Sequence, residues 1–143
     1  MKTVTFCGHS RLSADENNSV ESKLHIIIEN LIMQGATEFL LGGYGDFDVA
    51  CAKCVKTLKE RYPHIISVLV VPYIDRNYDK SLYDCSEYPP LENVPRKYAI
   101  SKRNEYMVDK AQVVVALVNH NWGGAAKTLE YAKRKKKVII EIK

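Results

Sequence analysis

The feature of this chain that most restricts its fold is a regular alternation of short apolar runs with helical patterns. Between the runs lie segments whose apolar residues recur with a period near 3.6, as on the side of a helix that faces a core. Near-continuous apolar strands that alternate with helices predict a parallel sheet covered on both faces, with right-handed crossovers. Five such runs have the length and composition of buried strands: residues 3–7, 37–41, 65–71, 113–118 and 138–142.

The helices can be bounded from their start and stop signals. The first is predicted to begin at Ser19, with Ser22 rather than an acid at the capping-box position, and to end at Gly35. Three more helices are predicted: one that begins near residue 47 and runs to about 62, one at about 100–110 and one at about 125–136.

Residues 73–99 interrupt this alternation with five tyrosines, three prolines, several acids and little periodicity. A loop of this length inside a domain is usually functional or mobile, so we predict an irregular, lid-like loop. The total of 143 residues suits one domain with one core, and no internal linker or repeat divides it. The sequence therefore predicts a single α/β domain over residues 1–143, with a doubly wound, mainly parallel, five-stranded sheet.

Composition and charge restrict the classes of partner that the chain is expected to have. The chain is 46% hydrophobic and 27% charged, as globular proteins are, and it lacks both an apolar membrane span and a signal-peptide core, which predicts a cytoplasmic location without a membrane partner. The net charge of +4 is mild, and its excess at residues 133–137 suits a cationic helix end as well as a basic patch. Without a zinc-finger, recognition-helix or aromatic-basic pattern, nucleic acid is expected to be an unlikely partner.

Two of the four cysteines, Cys51 and Cys54, have the spacing of a redox or metal site. They also lie on the apolar stripe of a predicted helix, and a metal would need a second pair of ligands that the sequence does not supply. Buried helix cysteines are the favoured interpretation, with redox or metal chemistry as the alternative. We therefore predict no metal site and no cofactor.

Three turns that contain glycine follow predicted strands, at residues 8–11, 42–46 and 123–124. Ligands of open parallel sheets bind beyond the carboxyl ends of the strands, and glycine permits positive φ and close approach of the backbone. The last turn also precedes a helix, whose N-terminus attracts anions. None of the turns matches a P-loop or the Gly-x-Gly-x-x-Gly fingerprint, so plain tight turns are the alternative. Together they predict a cleft for a small molecule that carries a phosphate.

Polar residues at the same edge supply candidate roles. Arg11 and Arg103 can pair with phosphate in a bidentate manner, although either can equally form a surface ion pair. Asp46 and Asp48 point to different helix faces, so one can contact ribose while the other caps the helix. Trp122 and the loop tyrosines can stack on a base, with packing as the alternative. The predicted ligand-binding residues are Gly8, His9, Ser10, Arg11, Gly42, Gly43, Gly45, Asp46, Tyr73, Gly123, Gly124, Lys127 and Thr128.

Five segments in this order resemble the SLOG superfamily of Rossmann-like nucleotide-binding proteins, in particular small bacterial and phage members of unassigned function. The segments are residues 5–11, 42–48, 71–73, 103–111 and 123–128. The resemblance covers almost the whole chain. It implies a Rossmann-like fold and a nucleotide or nucleotide-derived small molecule as the partner.

A more distant resemblance is to the Lonely Guy phosphoribohydrolases, which cleave nucleoside monophosphates to base and ribose phosphate. Arg103 and Met107 match their Arg-x-x-x-Met, and the segment from Gly123 to Glu130 is similar to their Gly-Gly-x-Gly-Thr followed by Glu. One extra residue precedes Thr128, which turns Glu130 by about 100° on the helix. This resemblance implies Glu130 and Arg103 as catalytic residues.

The leading interpretation is a nucleotide-binding domain with the phosphate on the turn at Gly123 and Gly124. The ribose is expected near residues 43–46, and the base under the loop at 73–99. The alternative is an N-glycosidic hydrolase or transferase that acts on nucleoside monophosphates, so whether the chain is an enzyme stays open. A homo-oligomer is also possible.

Overall fold

The structure, a computed structural model, describes residues 2–143. The strands are β1 (Lys2–Gly8), β2 (Ala36–Leu41), β3 (Ile66–Val70), β4 (Cys85–Glu87), β5 (Val113–Leu117) and β6 (Val138–Glu141). The helices are α1 (Ala14–Met33), α2 (Asp46–Lys59), α3 (Ala99–Lys110) and α4 (Gly124–Arg134), with a short 3₁₀ helix at Arg96–Tyr98 before α3. The strands form one parallel sheet in the order β4-β3-β2-β1-β5-β6. This confirms the predicted doubly wound α/β fold, with six strands instead of five.

Helices cover both faces of the sheet because its central strands are apolar on both sides. Val113 and Val115 belong to the cluster that packs against α1 and α2, whereas Val114 and Ala116 join the one that packs against α4 and α3. Successive strand residues point to opposite faces, so an uninterrupted apolar run is needed here. Each fully buried valine side chain contributes roughly 1.5–3 kcal/mol of hydrophobic stabilisation.

Helix α1 begins well before Ser19, so the prediction that Ser19 is its N-cap is wrong. Ser13 is the N-cap: its Oγ accepts a hydrogen bond from the backbone N–H of Glu16, and its own N–H donates to Glu16 Oε1, both at 3.1 Å. The first turns are polar and mostly solvent-exposed, so hydrophobic periodicity does not reveal them. Although α1 has 20 residues, neither it nor any other helix within residues 2–143 is apolar and long enough to span a membrane.

The sixth strand, β4, lies inside the segment predicted to be an irregular loop. It pairs with β3 at the edge of the sheet, with Cys85 opposite Val68. Asp84 fixes its start, because its Oδ2 accepts hydrogen bonds from Ser67 N and Lys59 Nζ, both at 2.8 Å. The strand escaped prediction because it has three residues, none of them strongly apolar, and its side chains are largely exposed.

Candidate functional site

A cleft of ≈ 570 Å³ lies at the carboxyl edge of the sheet beside β1 and β5. From β1 the chain adds β2, β3 and β4 on one side of the sheet, and β5 and β6 on the other, so the strand order reverses between β1 and β5. The cleft is lined by the loop after β1, the start of α2, one side of α3 and the turn between β5 and α4. Open parallel sheets bind ligands at such a switch point.

Helix α4 begins at the cleft with its N-terminal backbone groups uncapped. Its N-cap, Gly123, has φ 90° and ψ 178°, a conformation that is almost restricted to glycine, and no side chain within residues 2–143 caps the helix. A Cβ at Gly124 would meet nothing within 4 Å, so the space before the helix is open. The first N–H groups of a helix lack partners and carry partial positive charge. This turn is therefore suited to an anion.

Arg103 brings a buried cation to the opposite wall, with only 3% of the residue exposed. Its Nη1 donates to the carbonyl oxygens of Gly42 and Val70, at 2.9 and 2.8 Å. Its Nε donates to Asn104 Oδ1 at 2.9 Å. Among the described residues Nη2 has no hydrogen-bond partner, which leaves it for a ligand in the cleft. Burial lowers the pKa of Arg103, yet a guanidinium in a protein stays protonated.

Asp48 contributes a carboxyl group to the same cleft. Its Oδ2 accepts a hydrogen bond from the backbone N–H of Tyr44 at 3.3 Å. Burial raises the pKa of Asp48 to about 6, against the opposing effects of the Arg103 charge and the hydrogen bond from Tyr44. Because this pKa is near neutrality, Asp48 is suited to transfer a proton as well as to accept a hydrogen bond from a ligand hydroxyl.

The loop after β1 is tied to the start of α2. Asp46 donates its backbone N–H to Ser10 O at 2.8 Å, and its Oδ2 accepts from Leu12 N at 2.9 Å. The two loops approach so closely that a Cβ on Gly45, whose φ is 93°, would lie 2.6 Å from Ser10 Cα. Asp46 and Gly45 therefore shape the wall of the cleft from outside it.

Three aromatic residues form a ring stack, His9, His120 and Trp122, at the cleft. The centroids of His9 and His120 are 3.8 Å apart, as are those of His120 and Trp122, with interplanar angles of 23° and 14°. His9 Nε2 accepts a hydrogen bond from Asn119 N at 2.9 Å, so the ring is neutral with its proton on Nδ1. Burial and the neighbouring His120 lower the pKa of His9. The outermost ring, Trp122, is 68% exposed.

The structure brings eight predicted site residues together in the cleft. Thr128, one of them, turns its hydroxyl to the helix backbone, because Oγ1 donates to Gly124 O at 2.9 Å. Asn104 and His120 also line the cleft but were not predicted to be site residues, and of the pair Asp46 and Asp48 it is Asp48 that lines it. The eight are Gly8, His9, Ser10, Arg11, Arg103, Gly123, Gly124 and Thr128.

The other predicted site residues lie elsewhere. Besides Gly42, Gly45 and Asp46, described above, Gly43 lies against Leu69. Tyr73 is covered by Arg76 and Arg96, whose guanidinium carbons lie 4.3 and 4.4 Å from the centre of its ring. Lys127 and Glu130 line a neighbouring groove between α3 and α4, where Glu130 is exposed. The segment 73–99 contributes no lining residue to the cleft.

No protein-family model matches the chain. In sequence it is similar to an uncharacterized SPbeta prophage-derived protein, YoqJ, of Bacillus subtilis strain 168, with 29% identity over 139 residues, covering 80% of this chain and 81% of the relative.

Three solved structures share the fold. TM1055 matches with a TM-score of 0.65 and 17% identity over 97% of this chain and 72% of its own. DNA processing protein A from Helicobacter pylori matches at 0.67 with 16% identity over 98% of this chain, and that from Streptococcus pneumoniae at 0.70 with 18% identity over 99%. The chain spans only 64% and 50% of these last two. Identities this low show the fold alone, which is Rossmann-like, as the resemblance to the SLOG superfamily implies.

The expectation that nucleic acid is an unlikely partner is wrong. The Helicobacter protein, which shares the fold, has a binding mode for single-stranded DNA. That expectation depended on the absence of zinc-finger, recognition-helix and aromatic-basic patterns. A fold that presents backbone N–H groups and a cation at its strand ends needs none of those patterns to hold a phosphate.

Proposed function

We propose that this chain binds a nucleotide or nucleotide-derived ligand in the cleft, with a phosphate on the N-terminus of α4. The observation that carries the proposal is that the uncapped start of α4 and the buried Arg103 line one cleft at the switch point. Both favour an anion, and ≈ 570 Å³ lies within the range of roughly 300–1,000 Å³ typical of small-molecule sites. Membership of the SLOG superfamily and a cytoplasmic location belong to the same proposal.

The ligand is either a free nucleotide or a nucleotide within a single strand. The shared fold of the Helicobacter single-stranded DNA-binding protein supports including the second source. Both sources present the same phosphate, sugar and base to the cleft. The two are separated by titrating nucleoside monophosphates and a short single-stranded oligonucleotide in parallel.

The test is Gly124→Asp with Gly124→Asn as the matched control. The position has open space and no positive φ, so both side chains fit. The carboxylate occupies the start of α4, where it stabilises the helix by about 0.3–1 kcal/mol and repels a phosphate. We expect calorimetric titration with nucleoside monophosphates to show at least about a tenfold loss of affinity, about 1.4 kcal/mol, for Asp relative to Asn.

The Asp variant should thus be the more stable protein and the weaker binder, a combination that simple damage to the fold does not produce. Equal affinities of the two variants would refute the placement of the phosphate on α4. If the wild-type chain binds neither the monophosphates nor the oligonucleotide, the proposed function is wrong.

A second candidate function is hydrolysis of the N-glycosidic bond of a nucleoside monophosphate. The observation that favours it is the carboxyl of Asp48, whose pKa of about 6 suits a general acid that protonates the departing base. Asp48 lines the cleft, whereas Glu130, which the Lonely Guy resemblance implies, lies in the neighbouring groove. In this candidate Arg103 positions the phosphate.

The two carboxyl groups are distinguished by Asp48→Asn and Glu130→Gln. Each variant is incubated with the four nucleoside monophosphates, and free base is measured by chromatography. Base release that disappears with Asp48→Asn and persists with Glu130→Gln supports Asp48 as the acid. The reverse pattern would support Glu130 as the catalytic residue. If the wild-type protein releases no base, hydrolysis is wrong and ligand binding is the one function that stays proposed.

A further inference from the structure

The ring stack ends in an open aromatic face. One side of the Trp122 indole lies on His120, with 3.8 Å between centroids and 14° between planes. Nevertheless 68% of Trp122 is exposed, which leaves its other side open to solvent among residues 2–143. Trp122 also lines the cleft. We propose that this outer face is the base-binding platform of the cleft, on which a nucleobase stacks as the fourth ring.

The platform is held in place by contacts between two loops. His9 belongs to the loop after β1, and Trp122 to the turn after β5, so the stack spans the switch point. The hydrogen bond from Asn119 N to His9 Nε2, 2.9 Å long, fixes one loop to the other. A ring that is already held in place loses little conformational entropy on binding, which favours affinity.

The distance to the phosphate site fits one nucleotide. Only Gly123 separates Trp122 from Gly124, so their Cα atoms lie at most about 7.6 Å apart. In a nucleotide a single sugar joins the base to the phosphate, and Gly123 has no side chain to occupy the space between. Apart from its chain neighbours, a Cβ there would find, among the described residues, only His120 Cε1 within 4 Å, at 3.9 Å. Base and phosphate of one molecule can therefore reach Trp122 and α4 together.

This assignment rests on the proposed function and makes it more specific. An indole face stacks on any base, because every base has a π-face, so the site selects nucleotides from sugar phosphates without selecting among bases. It also replaces the expected position of the base under residues 73–99, since that segment contributes nothing to the lining of the cleft.

Trp122 is the only tryptophan in the chain, so its fluorescence reports directly on the platform. The probes are AMP and ribose 5-phosphate, which share the sugar phosphate and differ in the base. We expect AMP to quench the emission and to bind roughly five- to 150-fold more tightly than ribose 5-phosphate, as loss of one stacked base implies. Ribose 5-phosphate, followed by calorimetry, should bind weakly and leave the emission unchanged.

The variant Trp122→Ala should bind AMP and ribose 5-phosphate equally, and Trp122→Phe should keep part of the preference for AMP. Trp122 is exposed, so neither variant should lose its fold, which circular dichroism verifies. If AMP binds Trp122→Ala as tightly as it binds the wild-type protein, the platform is wrong and the proposed function survives. If neither probe binds the wild-type protein, the proposed function fails and the platform with it.

Discussion

Replacing Asp48 by asparagine should change the way in which stability depends on pH. The pKa of this carboxyl is about 6 in the folded protein, mainly because of burial, against an ordinary value of 3.8. Between these two values the folded state holds a proton that the unfolded chain has lost. Stability from Asp48 is therefore present at low pH and declines as the pH rises through the window from 3.8 to about 6.

The size of the contribution of Asp48 to the free energy of unfolding follows from the two pKa values. A tenfold change in proton affinity is worth 1.36 kcal/mol, so the full difference corresponds to ~3 kcal/mol. About 2 kcal/mol of this is lost between roughly pH 4.5 and 7.5, where a folded protein can be studied. Asparagine has no proton to lose. The free energy of unfolding of Asp48→Asn minus that of the wild-type protein should accordingly rise by ~2 kcal/mol over that range.

The assay is urea unfolding of both proteins, followed by far-UV circular dichroism at several pH values across this range. Taking the difference at each pH cancels the contributions of other ionisable groups and any constant effect of the substitution on Arg103. A difference that stays flat, or one that falls with rising pH, would refute the argument that burial in the cleft holds Asp48 protonated.

The glycines at positions 45 and 124 and the N-cap at Ser13 give further predictions, all measured by urea unfolding. Gly45→Ala should cost at least about 2 kcal/mol, because the residue is held at φ 93° and its Cβ would overlap Ser10. Gly124→Ala, in open space, should be neutral or slightly stabilising, and equal effects at the two glycines would contradict this reasoning. Ser13→Ala should cost ~1 kcal/mol through loss of the capping box with Glu16, whereas Ser13→Asp should cost much less, and a harmless Ser13→Ala would count against the cap.

The fold could be predicted because its central strands are recognisable as uninterrupted apolar runs in the sequence. The run at 113–117 is apolar without interruption, as is typical of a strand in a parallel sheet covered on both faces, and its first four residues are buried. The edge strand β4 has no such signal, since hydrogen bonds to β3 and the anchor at Asp84 define it. The start of α1 is likewise set by one local pair, Ser13 and Glu16, rather than by periodicity.

The candidate site was predictable at its turns and less so in its side chains. Glycines after β1 and before α4 line the cleft, because turns at the carboxyl ends of neighbouring strands must meet. Which acid faces the cleft depends on a rotation of one or two residues on a helix, and sequence alone does not specify it. Asp48 lies inside and Asp46 outside, and Glu130 faces the next groove.

The two walls of the cleft differ in how freely evolution can alter them. Arg103 joins α3 to the ends of two strands, so a substitution there damages the scaffold as well as the site. Trp122 is exposed and belongs to none of the core clusters of residues 2–143, so position 122 can change at little cost to folding, whereas Gly123 beside it is held by its positive φ. Descendants of this chain can therefore acquire new ligand preferences at position 122, while Arg103 and the start of α4 keep the anion site unchanged.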